Sequence, residues 1–220
     1  MKHYSPLLIL ALVAISFGAV TIAQAYQPRL VESGELVLIK NPEVSQAFYG
    51  ELKGREAYYL IELKQAGDLY LQLLVPDLPW ISKDKTAGVE YLPELGERAV
   101  NFAQLDLPPE QWKKYFEEYA GDNYWQGPEL KKPAEAGYYV VKISSPDNQG
   151  KYVLAAGQIE EFPAGEAVKA LVTIPLLKKD FFQEPLTQWF NGKIGRYAGL
   201  GLIGLLVLGL MFHRFNKVYK

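Results

Sequence analysis

Ala57-Tyr-Tyr-Leu-Ile-Glu-Leu63 and Asp68-Leu-Tyr-Leu-Gln-Leu-Leu-Val75 are two short apolar runs separated by Lys64-Gln-Ala-Gly67. The first alternates along its length, which sends successive side chains to opposite faces of an extended chain. Both are rich in the aromatic and branched residues that suit a pleated surface, and each ends at turn-forming residues. The spacing predicts a hairpin across Leu63–Leu69, with Gly67 available for a positive φ.

The same pattern recurs on either side. Glu35–Lys40 stops at Asn41-Pro42, and Gln46–Leu52 stops at Lys53-Gly54. Tyr138–Ile143 is followed by Ser145-Pro-Asp-Asn-Gln-Gly150 and then Lys151–Gly157, which reads as a second hairpin. Strands of this length and spacing predict a mainly β fold, an antiparallel β-sandwich of jelly-roll type. Between the strand groups, Pro108-Pro-Glu-Gln-Trp-Lys-Lys-Tyr-Phe-Glu-Glu-Tyr-Ala-Gly121 reads as a short inserted helix. Proline opens it and Gly121 stops it, while Trp112, Tyr115, Phe116 and Tyr119 fall at helical spacing.

Gly50-x-Leu52, Tyr58-Tyr59-x-Ile61-x-Leu63 and Ala66-Gly67-x-Leu69-x-Leu71-x-Leu73 resemble the first half of a bacterial pre-peptidase C-terminal (PPC)-like β-sandwich. Ala136-Gly-Tyr-Tyr-Val140-x-Lys142-Ile143 and Gly150-Lys-Tyr-Val-Leu154 are similar to its closing hairpin. The resemblance covers about half of the central region and implies a non-catalytic module of secreted and surface proteins, some of which bind calcium. Arg55-Glu56-Ala57 stands where the family usually carries acidic residues before the tyrosine pair. Tyr124-Trp125 and the apolar stretch over residues 194–215 are similar to the loop and terminal anchor of membrane-anchored prokaryotic surface proteins.

Two apolar segments bracket this region. Residues 1–25 join Lys2 to an uncharged run and an Ala23-Gln-Ala25 ending, the three parts of a secretory signal. Residues 194–215 read as a transmembrane helix, with Arg196 and Arg214 able to snorkel and Trp189, Phe190 and Tyr197 suited to the interface. The basic tail, residues 216–220, belongs on the cytoplasmic side. The expected organisation is therefore an extracytoplasmic sandwich over 26–162, a juxtamembrane helix or linker over 163–193, and a single-pass anchor in the cell membrane. In the linker, Glu166–Ile174 reads as a helix that Pro175 bends or ends. Leu176-Leu177, Phe181-Phe182, Leu186 and Trp189-Phe190 suit either the bilayer interface or packing on the domain.

Charge and composition narrow the chemistry. Residues 26–192 hold all 25 acidic residues and 17 basic ones, so the central region is acidic and nucleic acid is not an expected partner. The chain has no cysteine, and its two histidines, His3 and His213, lie outside that region. A Ser-His-Asp triad, a Cys-His pair and a His or Cys zinc site within it are excluded.

The densest polar and aromatic cluster is Glu117–Glu129. Within it Glu118, Asp122, Asn123, Tyr124, Trp125 and Glu129 are the candidate ligand-binding residues. The carboxylates and the Asn123 amide offer oxygens of the kind calcium prefers, and Tyr124 and Trp125 can form a platform for a sugar or peptide. The alternative is a loop whose aromatics cover the sheet and whose acids are solvated. Glu117 and Glu118, being adjacent, point about 100° apart on a helix and make a poor acid–base pair. The expectation is a non-enzymatic, membrane-anchored binding or scaffold protein assisting a surface or membrane protein partner. A carbohydrate- or peptide-binding module is the second reading and a carboxylate-based hydrolase the third.

Overall fold

The computed structural model describes residues 26–218, so the expected signal at residues 1–25 and the last two residues of the tail lie outside the described residues. Eleven strands follow in chain order among them: β1 Gln27–Leu30, β2 Leu36–Ile39, β3 Gln46–Lys53, β4 Ala57–Leu63, β5 Gly67–Pro76, β6 Thr86–Leu92, β7 Val100–Leu105, β8 Lys113–Glu117, β9 Asp122–Ala134, β10 Gly137–Ser144 and β11 Gln149–Ala156. They form a sandwich of two sheets, β1-β3-β11-β5-β9-β8 and β2-β4-β10-β6-β7. Two helices follow, α1 Ala164–Leu176 and α2 Lys193–Val218.

The alternation in the sequence is what closes the sandwich. Tyr59, Ile61, Leu71, Leu73, Val89, Val141, Ile143 and Leu154 all point between the sheets and are inaccessible to water. Burying each such side chain contributes roughly 1.5–3 kcal/mol. At the centre the Tyr59 and Tyr152 hydroxyls, one from each sheet, hydrogen-bond at 2.9 Å, which satisfies two polar groups that burial would otherwise leave unpaired. Gly50 makes room for this pair, since a Cβ there would strike the Tyr152 phenol.

Three expectations are corrected. First, both sheets are mixed rather than purely antiparallel: β1 pairs parallel with β3, and β2 parallel with β4. Second, neither expected hairpin exists, because β4 and β10 lie in one sheet and β5 and β11 in the other. The connections at 64–66 and 145–148 are arches that step from sheet to sheet, a gap of about 10 Å that three extended residues can span. Gly67 is not left-handed; the φ > 0 positions at the second arch are Asn148, its last residue, and Gly150 at the start of β11. The hairpins that do form join β6 to β7 and β8 to β9.

Third, the inserted helix is absent. Pro109–Gln111 make one 3-10 turn, and Lys113–Glu117 then run extended as β8. Strand β9 is 13 residues long, and its first five would be an open edge without β8. Pairing Lys113 to Gln126 through Glu117 to Asp122 gives both backbones partners, which outweighs the local helical pattern.

Beyond the sandwich, α1 carries Pro175 and gives way to a π-helical turn over Leu177–Phe181, where the Phe182 N–H donates to Leu177 O at 2.9 Å. A 3-10 segment, Leu186–Asn191, leads into α2. Helix α2 is long and apolar enough to cross a membrane. Its side chains from Leu200 to Leu210 are largely exposed.

Candidate functional site

The tip of the β8–β9 hairpin is where the sandwich meets the start of α2. Glu117, the last residue of β8, is buried and folds its carboxylate back over the turn. There it accepts the backbone N–H groups of Tyr119 at 2.8 Å and Ala120 at 2.7 Å. Burial pushes its carboxyl up to about 7 against the pull of those two amides. Gly121 closes the turn at φ +77, with its N–H bonded to Glu117 O at 2.9 Å. A side chain at Gly121 would collide with the backbone of Gly192, and one at Gly192 with that of Ala120, so two glycines cross in direct contact.

That crossing sets the helix. The first amides of α2 have no intrahelical acceptor. Two of them are taken by the hairpin: Lys193 N donates to Glu118 O at 2.9 Å and Ile194 N to Tyr119 O at 3.1 Å. Ile194 is buried with Tyr119, Ala120, Ala170 and Ile174, and Phe162 and Trp189 pack at the margin.

A second attachment lies on the outer face of the larger sheet. Lys178, on the π-helical turn, is fully buried; it forms an ion pair with Asp122 at the start of β9 and donates to Gly121 O at 3.0 Å. Glu184 stands 3.8 Å from the same ammonium. The Asp122 carboxyl is pushed up to about 6, because burial outweighs the nearby lysine, and its Oδ2 has no hydrogen-bond partner. Lys151 of β11 donates to Phe181 O and, at 3.3 Å, to Asp180 O; burial lowers its pKa. Phe181 packs edge-on to Tyr49 at 5.2 Å and Phe182 edge-on to Tyr124 at 5.6 Å. The two tyrosine hydroxyls meet at 3.0 Å.

The six candidate residues do not converge on one point. Asp122 and Tyr124 are buried beneath the C-terminal segment, and their neighbours Asn123 and Trp125 alternate to the opposite side of β9. Tyr124 is 2% exposed and cannot serve as a platform for a sugar. Trp125 is half-buried, donates from Nε1 to Asp77 Oδ1 at 2.7 Å, and has Lys83 Nζ 4.0 Å and Lys114 Nζ 5.0 Å from its ring centroid. Glu118 is exposed and paired with Lys193, and exposed Glu129 accepts from Gln72 Nε2 at 3.3 Å. For calcium, no group of three or more His, Cys, Asp or Glu side chains is gathered among the described residues. Glu117 stood in the sequence only as one of two adjacent carboxylates, and Lys151, Lys178 and Gly192 were not among the candidates. Only Lys178 carried a signal, a lysine flanked by Leu176-Leu177 and Phe181-Phe182.

A separate cleft of about 720 Å³ opens where the two edge strands β1 and β2 lie side by side, with Leu36, Leu38 and Phe48 in its wall. At its rim Arg29 Nη1 lies 2.7 Å from Glu166 Oε2, and Gln27 Nε2 donates to Glu161 O at 2.7 Å.

No protein-family model matches the chain, and a search of curated proteins finds no match. Solved structures do match. The chain is similar to the pre-peptidase C-terminal domain of collagenase from Bacillus anthracis, at 11% identity over 61% of this chain and 97% of that one, with a TM-score of 0.33. It is also similar to CorA, a surface-associated copper-binding protein important in copper acquisition in Methylomicrobium album BG8, at 9% identity over 59% and 98%, with a TM-score of 0.29. Likenesses this distant carry no functional conclusion. The β-sandwich stands on its own strand pairing.

Proposed function

We propose that this chain is a non-enzymatic binding or scaffold module, held on the outer side of a cell membrane by α2 and presented there to a membrane or surface protein. The observation that carries this reading is the joint between Glu118-Tyr119 and Lys193-Ile194. Capping the helix with the sandwich's own hairpin couples the two without a free linker, a geometry suited to holding a partner at fixed height. The exposed Leu202, Ile203, Leu205 and Leu206 of α2 suit a lipid surrounding, and Arg214 at the end of the apolar segment with Lys217 and Lys220 in the tail favour a cytoplasmic C-terminus. The most buried carboxylates, Glu117 and Asp122, are engaged with backbone amides and with Lys178, which supports structural rather than catalytic use. The cleft between β1 and β2 is a surface open to such a partner.

Alkaline washing of membranes from expressing cells, protease shaving of intact cells and affinity purification in mild detergent test the reading together. The expected result is retention in the membrane pellet, a sandwich reached from outside, a protected C-terminal tag and a stoichiometric membrane partner. Recovery in the soluble fraction overturns the anchoring. Turnover of a glycoside or peptide by the purified chain overturns the non-enzymatic assignment.

A further inference from the structure

Helix α1 is apolar on both sides. Ala170 and Ile174 are buried against the hairpin tip and the first turn of α2. On the other side Val168, Val172 and Leu176 follow at four-residue steps beside Leu171, forming one stripe in which each side chain is 40–64% exposed. A water-facing helix would carry polar residues there.

We propose that this stripe lies in the headgroup region of the bilayer that α2 crosses, so that a lipid surface is the second partner of the domain; the inference rests on the anchored reading above. Three observations select lipid. Ala170 and Ile174 of α1 share one buried cluster with Ile194 in the first turn of α2, which keeps α1 beside the end of α2 that enters the membrane. Exposed Leu186, Phe190 and Tyr197 continue the apolar surface from α1 to α2, with the aromatic content of an interfacial belt. The charge changes sign at this point: residues 26–163 hold 14 basic and 22 acidic residues, whereas residues 164–197 hold five basic and three acidic ones. Exposed Lys169 and Lys179 therefore meet anionic headgroups from a domain that is otherwise repelled by them.

The absence of cysteine makes the test direct, because any introduced cysteine is unique. Val172→Cys, Val207→Cys and Glu94→Cys, each in the full chain, are spin-labelled and reconstituted in vesicles of equimolar phosphatidylcholine and phosphatidylglycerol. Glu94 belongs to the β6–β7 turn, at the end of the sandwich remote from the hairpin tip. Collision with oxygen relative to a water-soluble nickel complex should be several-fold higher at position 172 than at 94, and highest at 207. A water-like value at 172 with a deep value at 207 overturns the docking and leaves the anchor standing. A water-like value at 207 overturns the anchor and the docking with it. Spin–spin broadening at 172 that disappears on dilution with unlabelled protein places a second copy on the stripe and also overturns the proposal.

Discussion

Lys178 and Asp122 come from sequence positions 56 apart and meet as a fully buried ion pair between the C-terminal segment and the sandwich. Removing one partner strands the other away from water. Lys178→Met should destabilise the domain by about 3–5 kcal/mol, read from urea unfolding. Adding Asp122→Asn should restore more than half of that loss, because the stranded charge is then gone.

Stability should fall as pH rises from about 4 to about 7. Glu117 and Asp122 hold their protons to about 7 and about 6 in the native chain, above their ordinary values of 4.5 and 3.8. The native state thus binds more protons than the unfolded one across that window, and the stabilisation present below it is lost as pH passes through the folded values. For Glu117 the effect is on the order of 1–3 kcal/mol. Thermal unfolding followed from pH 4 to 8 should show the slope, and Glu117→Gln should flatten it.

The glycine crossing should control the joint without governing the core. Gly121→Ala places a side chain both at φ +77 and against Gly192, and Gly192→Ala strikes Ala120. Each should cost more than about 1 kcal/mol locally. Limited proteolysis should then cut within 183–192 at a rate well above that of the parent, with the strand amides still protected from exchange.

The aromatic pair should split in its response. Tyr124→Phe removes one buried hydroxyl contact with Tyr49 and should cost about 1 kcal/mol, whereas Tyr124→Ala opens a cavity under Phe182 and should cost about 3–5 kcal/mol. Trp125→Ala, at a half-buried site, should cost less than Tyr124→Ala. Equal and small losses, with an intact fold and lost retention on a glycan array, would return both residues to a binding role.

The six strands legible in the sequence, β2 to β5, β10 and β11, are those written as apolar runs bounded by turn residues. Strands β6 and β7 are harder to see because Gly88, Glu90, Asn101 and Gln104 interrupt the pattern, and β9 carries Pro128 and Pro133 among lysines. Turn residues showed that the chain reverses at 64–66 and 145–148 but not which sheet receives it, since that depends on partners far along the chain. The site was obscured for a related reason. Lys178 and Lys179 look alike in sequence, and their different fates, one buried and one exposed, follow from the packing of the π-helical turn against Asp122.

The outer face of the larger sheet has a consequence for how the protein is made. Its Tyr49 and Tyr124 are covered by Phe181 and Phe182, which the ribosome supplies only after every strand is complete. Until then the nascent sandwich carries a bare aromatic strip, and the many non-local strand pairings make its assembly slow. The segment that seals the strip is the same one that delivers α2. Maturation of the domain and placement of its helix are thereby a single event, and a chain truncated before residue 182 should be cleared as unfinished.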